Sequence, residues 1–150
     1  MANLNLKSKI QNLKFLAPYT VYGRSMEPFS QDGEMARSDG RPSSWCRGDV
    51  AVLRAPEASR RREMKRVIGL SGECVAWNGQ GRIWINGQPL DEPYARFAVA
   101  VPGDDDVQQI RLRDDEYFVA GDYRLRSRDS RSYGAVRSEA LMERVRACGP

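Results

Sequence analysis

The feature that most constrains the fold of this chain is a series of short apolar runs, each closed by turn-forming residues. The runs that we predict as strands are Asp49–Leu53, Met64–Leu70, Glu73–Trp77, Arg82–Ile85, Ile110–Arg113 and Tyr117–Ala120. Asn78-Gly79 and Asn86-Gly87 are typical of hairpin turns, because Asn and Gly tolerate the positive φ that tight turns need. Only residues 138–146 look helical. Many short strands predict an all-β sandwich or barrel.

The length of the chain fits one domain. Its 150 residues can form one hydrophobic core without help from metal ions or disulfide bonds. We predict a single domain over residues 1–150, whose first fifteen residues are a polar, basic lead-in. No apolar run approaches the roughly 20 residues of a membrane span. The longest candidate, Phe15–Tyr22, is interrupted by Pro18 and is also too short for a signal peptide. We therefore expect a soluble chain.

Cysteine usage predicts neither a zinc site nor a disulfide framework. Cys46, Cys74 and Cys148 are odd in number and lack CxxC spacing. One bridge stays open as an alternative, while three unpaired thiols is the simpler expectation.

Basic residues outnumber acidic ones, and the net charge is +4. The two signs are interspersed without a Lys/Arg stripe, so we predict no nucleic-acid partner. Arg60-Arg61-Arg62 is a basic run in a predicted loop. Its two interpretations are a solvated surface loop and a contact with anionic lipid headgroups, which makes an anionic membrane surface a candidate partner.

The sequence contains no histidine. This excludes Ser-His-Asp triads, Cys-His dyads and HExxH zinc sites. No Asp/Glu group at metal-ligand spacing stands out, so we expect neither a metal nor a cofactor. Of the 24 basic residues only four are lysines, and Lys65 is the one beyond residue 14. A lysine can act as a base when burial lowers its pKa, and Lys65 lies in the most apolar predicted strand.

A lysine base needs a nucleophile, and Ser25 is the candidate. It lies between Gly23 and Pro28, where a bent chain can point backbone N–H groups outward, as an oxyanion hole requires. A third segment, residues 117–134, is a strand followed by a polar loop that offers Ser127 as a hydroxyl and Asp129 with Arg131 as an ion pair.

Together these segments resemble the bacterial type I signal peptidases, the Ser-Lys serine peptidases that remove leader peptides from exported proteins. The motifs that carry the resemblance are Gly23-Arg-Ser-Met-Glu-Pro28, Arg47-Gly-Asp-Val-Ala-Val52, Lys65-Arg-Val-Ile-Gly-Leu-Ser-Gly-Glu73, Asn86-Gly87 with Glu92-Pro-Tyr94, and Gly121 to Gly134. In the last motif Tyr123 stands where the family pattern has Asn. The resemblance spans about residues 17–146.

The resemblance implies a role for each motif residue. Ser25 would be the nucleophile and its backbone N–H the oxyanion donor, Lys65 the general base, and Ser127 a hydroxyl that hydrogen-bonds and orients the Lys65 amine. Asp129 and Arg131 would form a structural ion pair of the loop. The implied fold is two antiparallel β-sheet layers with little helix. The implied substrates are signal peptides of exported preproteins, cut after small residues through an ester acyl-enzyme.

The resemblance also implies a location at the outer face of the cytoplasmic membrane. Members are normally anchored by N-terminal transmembrane helices, which are not visible in this sequence, so the residues are either a soluble catalytic portion or naturally unanchored. Two alternative functions stay open. One is a catalytically degenerate, signal-peptidase-like assembly chaperone, although that protein should have lost Ser25 or Lys65. The other is a soluble self-cleaving peptidase of the SOS type, although 24 residues before Ser25 leave no room for a DNA-binding domain.

Overall fold

The computed structural model describes residues 18–56, 61–103 and 106–146. These residues form eleven strands, one short helix α1 (Ser130–Tyr133) and two 3₁₀ turns, Arg124–Arg126 and Ser138–Ala140. The strands are β1 Tyr19–Thr20, β2 Met35–Ser38, β3 Val50–Arg54, β4 Arg62–Gly69, β5 Cys74–Trp77, β6 Ile83–Ile85, β7 Gln88–Pro89, β8 Gln108–Arg111, β9 Glu116–Ala120, β10 Val136–Arg137 and β11 Leu141–Arg146.

The strands form two antiparallel sheets, which confirms the predicted all-β class. The larger sheet has the order β1-β2-β11-β3-β4-β9-β10 and the smaller β7-β6-β5-β8. All six predicted strands overlap observed ones. The Asn86-Gly87 turn joins β6 to β7, with φ of 50° and 81° at its two residues, as a two-residue hairpin requires.

Residues 138–146 are the clearest error of the sequence prediction, because most of them form a strand rather than a helix. Leu141 and Val145 are buried four residues apart, a spacing typical of one face of a helix. In β11 a register shift between Leu141 and Glu143 instead places them in different core clusters, Leu141 with Ala51 and Val145 with Val50. β11 lies between β2 and β3 and pairs with both. Ladder partners on both edges satisfy its backbone groups, and tertiary pairing overrides a weak helical pattern.

The core of the large sheet is built on both of its faces. In β3, Val50 to Leu53 are all buried, which is why the run is continuously apolar rather than alternating. The small sheet packs on the large one through Val75 and Ile83, which join Ile68 and Phe118 in one buried cluster. The small sheet therefore covers β4 and β9 of the large one.

Some predictions fall outside the described residues: the structure of the lead-in, Cys148, Arg60 and the first three residues of Phe15–Tyr22. Within the described ranges, Cys46 and Cys74 are free thiols. No helix in those ranges has the length and apolar character needed to cross a bilayer.

Candidate active site

Ser25 lies in the turn that follows β1. The next residue, Met26, is 1% exposed and packs in a cluster with Val21 and Val52. The backbone N–H of Ser30 donates to the Met26 carbonyl (3.0 Å), and that of Tyr123 donates to the Ser25 carbonyl (3.0 Å). One buried side chain and two backbone hydrogen bonds therefore fix the position of the Ser25 hydroxyl.

Lys65 lies in β4 and reaches that hydroxyl. Its side-chain Nζ is 3.0 Å from Ser25 Oγ, although the residue as a whole is only 4% exposed. Burial lowers the pKa of the Lys65 amine below its usual range. The negative charges of Glu63 and Asp129 act in the other direction and raise this pKa, but burial has the larger effect. A lowered pKa increases the neutral fraction of the amine, which is the form that can accept a proton.

The backbone N–H of Ser25 is available to a ligand. In the part of the chain that the structure describes, it has no hydrogen-bond acceptor. A carbonyl oxygen of a bound peptide can therefore receive a hydrogen bond from the residue that carries the hydroxyl, which is the arrangement of an oxyanion hole.

Asp129 organises the loop behind this pair. Its buried carboxylate accepts hydrogen bonds from the backbone N–H of Gly121 (2.9 Å) and from the side-chain Nε of Arg131 (2.9 Å). Burial alone would raise the pKa of Asp129, but Arg131, Gly121 and Ser127 together hold it below its ordinary value. Asp129 and Arg131 thus form an ion pair within the loop.

Ser127 differs from its expected geometry. Its hydroxyl donates to Asp129 Oδ2 at 2.7 Å, and no hydrogen bond joins it to Lys65, whose described partner is Ser25. Ser127 and Ser25 nevertheless both approach the same residue, Gly121. A Cβ atom added to Gly121 would be 2.2 Å from Ser127 Oγ and 2.6 Å from the Ser25 carbonyl oxygen. Glycine at position 121 is what allows these groups to approach each other.

Two buried ion pairs near the site are absent from the sequence analysis. Arg66 binds both carboxylate oxygens of Asp122 (2.6 and 2.8 Å), and Arg124 binds both oxygens of Glu92 (2.6 and 3.1 Å). The sequence signal was present, since all four residues lie within the quoted motifs. Their partners are 56 and 32 residues apart, so pairing them requires the fold.

Ser25 and Lys65 line a cleft with a volume of about 610 Å³. Its walls come from β1 and the residues after it, from the first half of β4, and from the loop after β9. Within the described ranges, no group of three or more Cys, Asp or Glu side chains is arranged to hold a metal ion. Ser25 and Lys65 present a hydroxyl, an amine and a backbone N–H to the cleft.

Known proteins that are similar to this chain identify its family. The family model described as "Signal peptidase, peptidase S26" matches residues 9–148. Signal peptidase I P of Bacillus subtilis subsp. natto is 34% identical over 82% of this chain and 69% of its own length. Signal peptidase I of Bacillus amyloliquefaciens is 36% identical over the same shares.

A solved structure of a signal peptidase I from Enterococcus faecalis V583 is also similar. It superposes with a TM-score of 0.52 at 26% identity, covering 67% of this chain and 96% of that one. The relatives and the solved structure bear the same family name, and the family match extends over nearly the whole chain. The chain belongs to the signal peptidase family, peptidase S26.

Proposed function

We propose that this chain cleaves signal peptides from exported proteins with Ser25 as nucleophile and Lys65 as general base. Signal-peptide cleavage by a serine peptidase is the activity of the family to which it belongs. The observation that carries the assignment of residues is the 3.0 Å separation between Lys65 Nζ and Ser25 Oγ. It is supported by the burial that lowers the pKa of the amine.

In the proposed reaction, neutral Lys65 accepts the hydroxyl proton of Ser25 as Oγ attacks the scissile carbonyl carbon. The Ser25 backbone N–H donates to the oxyanion that forms. The ammonium of Lys65 then returns the proton to the leaving amine, which breaks the peptide bond and leaves an ester on Ser25. A water molecule, deprotonated by Lys65, hydrolyses the ester and regenerates the hydroxyl.

The first half of β4 is the proposed docking edge for the substrate. Arg62 to Lys65 pair with β3 on one side, whereas the ladder with β9 begins only at Arg66. Along this stretch one edge of β4 therefore has no partner strand among the described residues. A peptide can add to such an edge as an extended strand, which would bring its scissile carbonyl to the Lys65 end. The family resemblance adds a preference for small residues before the cut.

Cleavage of a leader peptide by purified variants tests the residue assignment. Ser25→Ala and Lys65→Arg should both abolish cleavage with little change in Tm, because guanidinium keeps the charge but cannot accept the proton. Ser132→Ala, an exposed serine on α1, is the matched control and should retain activity. Substantial cleavage by Lys65→Arg would refute the mechanism.

We also propose that the reaction takes place at the outer face of the cytoplasmic membrane, with this domain resting on anionic lipid. Tyr22 and Met35 are apolar side chains that are 85% and 53% exposed, and the chain carries a net charge of +4. Flotation with phosphatidylglycerol vesicles should be salt-sensitive and weaker for Tyr22→Ser. Failure to float at low salt would contradict the proposal.

A further inference from the structure

Arginine dominates the charge of the cleft that contains Ser25 and Lys65. Four of its lining residues are arginines, and they come from two segments: Arg61 and Arg62 at the start of β4, and Arg126 and Arg128 on either side of Ser127. The single carboxylate in the lining is Glu63. When Lys65 is neutral, as the proposed mechanism requires, the guanidiniums outnumber the carboxylate by four to one.

Among the described residues, eight arginines outside the cleft have a carboxylate partner. The structure pairs arginines with acids in the buried pairs Arg66–Asp122 and Arg124–Glu92, and also at the surface in Arg47–Glu73 and Arg146–Asp39. In contrast, Arg61 and Arg126 have no carboxylate within 4.0 Å among the described residues. Two cleft arginines are therefore left to bind whatever enters the cleft.

Arg62, which also lines the cleft, lies beside Tyr19. It lies close enough to the Tyr19 hydroxyl to oppose the rise in the pKa of Tyr19, which burial and Glu143 cause. That hydroxyl already donates to Glu143 at 2.6 Å. The carboxylate of Glu143 is thus engaged by the Tyr19 hydroxyl.

We propose that the cleft selects peptides that carry an acidic side chain near the scissile bond, an inference that rests on the proposed function. A bound peptide displaces water from the guanidiniums, and a carboxylate can then take two parallel hydrogen bonds from one guanidinium. An uncharged side chain leaves Arg61 and Arg126 without a counter-charge, and a basic one is repelled by them. Because Arg61 and Arg126 line the same cleft as Ser25, the partner that fits them is the substrate itself.

The positions of the arginines predict where the acidic residue lies. Arg126 is next to Ser127, which contacts the Ser25 turn through the gap left by Gly121, so its partner is within a residue or two of the cut. Arg61 is four residues before Lys65 along the chain, roughly 13 Å at the usual rise of a strand. Its partner is therefore about four residues away from the cut.

The test compares leader peptides that differ only in one residue. Asp, Asn or Lys is placed in turn at each position around the cut, and kcat/KM is measured in lipid-free buffer. We expect at least one position at which Asp exceeds Asn by about threefold or more and Lys falls below Asn. Raised salt should reduce the difference.

Variants assign the preference to the arginines. Arg126→Gln and Arg61→Gln should each reduce the Asp-to-Asn ratio toward one at its own position, and Arg126→Glu should reverse the preference toward Lys. Arg113→Gln removes the same charge from an exposed residue outside the cleft and should leave the ratio unchanged.

The outcomes separate this inference from the proposed function. If the Asn peptide is cleaved and no position favours Asp, the acidic preference is refuted while the peptidase stands. If that result is accompanied by weaker binding of Arg126→Gln to phosphatidylglycerol vesicles, the arginines contact lipid and the inference is likewise refuted. If no peptide is cleaved under any condition, both are refuted.

Discussion

The backbone N–H of Tyr123 donates a hydrogen bond of 3.0 Å to the carbonyl oxygen of Ser25. The ring of Tyr123 adds a second link to the same turn. The guanidiniums of Arg96 and Arg24 lie 4.1 and 5.7 Å from its centroid, and both bind the carboxylate of Glu27, two residues after the nucleophile. The aromatic ring thus helps to hold the turn that positions Ser25.

This arrangement predicts that Tyr123→Asn, which introduces the residue of the family pattern, lowers activity in this protein. The backbone hydrogen bond can survive, but the cation–π contacts are lost, so the hydroxyl is less well positioned. We expect kcat to fall about tenfold with little change in KM.

Tyr123→Phe is the control for the Asn variant, because it keeps the ring and loses only the hydroxyl. It should retain most of the wild-type kcat. A Phe variant as impaired as the Asn variant would show that the ring is not what positions the turn.

The pKa of Lys65 predicts the pH dependence of cleavage. The base is the neutral amine, so kcat/KM should rise with pH until the pKa of Lys65 is passed. Burial places that pKa below the usual lysine value, whereas the negative charge of Glu63 raises it. Glu63→Gln should therefore move the acid limb of the kcat/KM profile to lower pH.

Glu139→Gln is the matched control for this profile, because Glu139 is exposed and does not line the cleft. Its profile should superimpose on that of the wild type. A Glu63→Gln profile displaced to higher pH would mean that Glu63 does not act on Lys65 through its charge. Since Glu63 also lines the cleft, the position of the limb is the measure rather than the absolute rate.

Ser127→Ala tests the role that the family resemblance gives to Ser127. In this structure the Ser127 hydroxyl donates to Asp129, which leaves its lone pairs free to accept from the Lys65 amine. A base that is present but poorly oriented loses a large part of the 10²–10⁴-fold gain of general-base catalysis. We expect turnover to fall at least ~10²-fold with little change in KM.

The choice of control for Ser127 follows from the structure. Ser130 is unsuitable because its buried hydroxyl accepts a hydrogen bond from the backbone N–H of Val119, so its loss would disturb β9. Ser132 is exposed, and Ser132→Ala should be silent. Equal activity of Ser127→Ala and the wild type would remove Ser127 from the site.

Local pattern predicted the parts of this molecule that depend on neighbouring residues. Strands such as β3 and β9 could be placed from their apolar runs, and the Asn86-Gly87 turn from the positive φ that it needs. Ser25 and Lys65 were found because each has an unusual setting within its own segment. The contact between these two residues, which are 40 positions apart in the sequence, is a property of the folded chain.

The remaining features depend on contacts between distant segments. The pattern of Leu141 and Val145 allowed both a helix and a strand. The segment forms a strand because it pairs with β2 on one side and with β3 on the other. The charge of Glu92 was visible in the sequence, but a lone buried carboxylate is so unfavourable that its burial depends entirely on its partner. The identity of that partner, Arg124, comes from the packing of the two sheets.

That dependence gives the last prediction. Arg124 and Glu92 are 0% and 1% exposed at their side chains, and Arg124 also donates to the carbonyl oxygens of Gly81 and Gly121. Arg124→Leu leaves a carboxylate buried without its counter-charge, so it should lower the free energy of unfolding by about 3–5 kcal/mol. Arg146→Leu, which breaks an exposed pair with Asp39, should cost less than about 1 kcal/mol. Urea unfolding measures the free energy of unfolding of both variants.

Adding Glu92→Leu to Arg124→Leu should restore part of the lost free energy of unfolding, because it removes the unpaired charge. A double variant whose cost equals the sum of the two single costs would show that the pair does not interact.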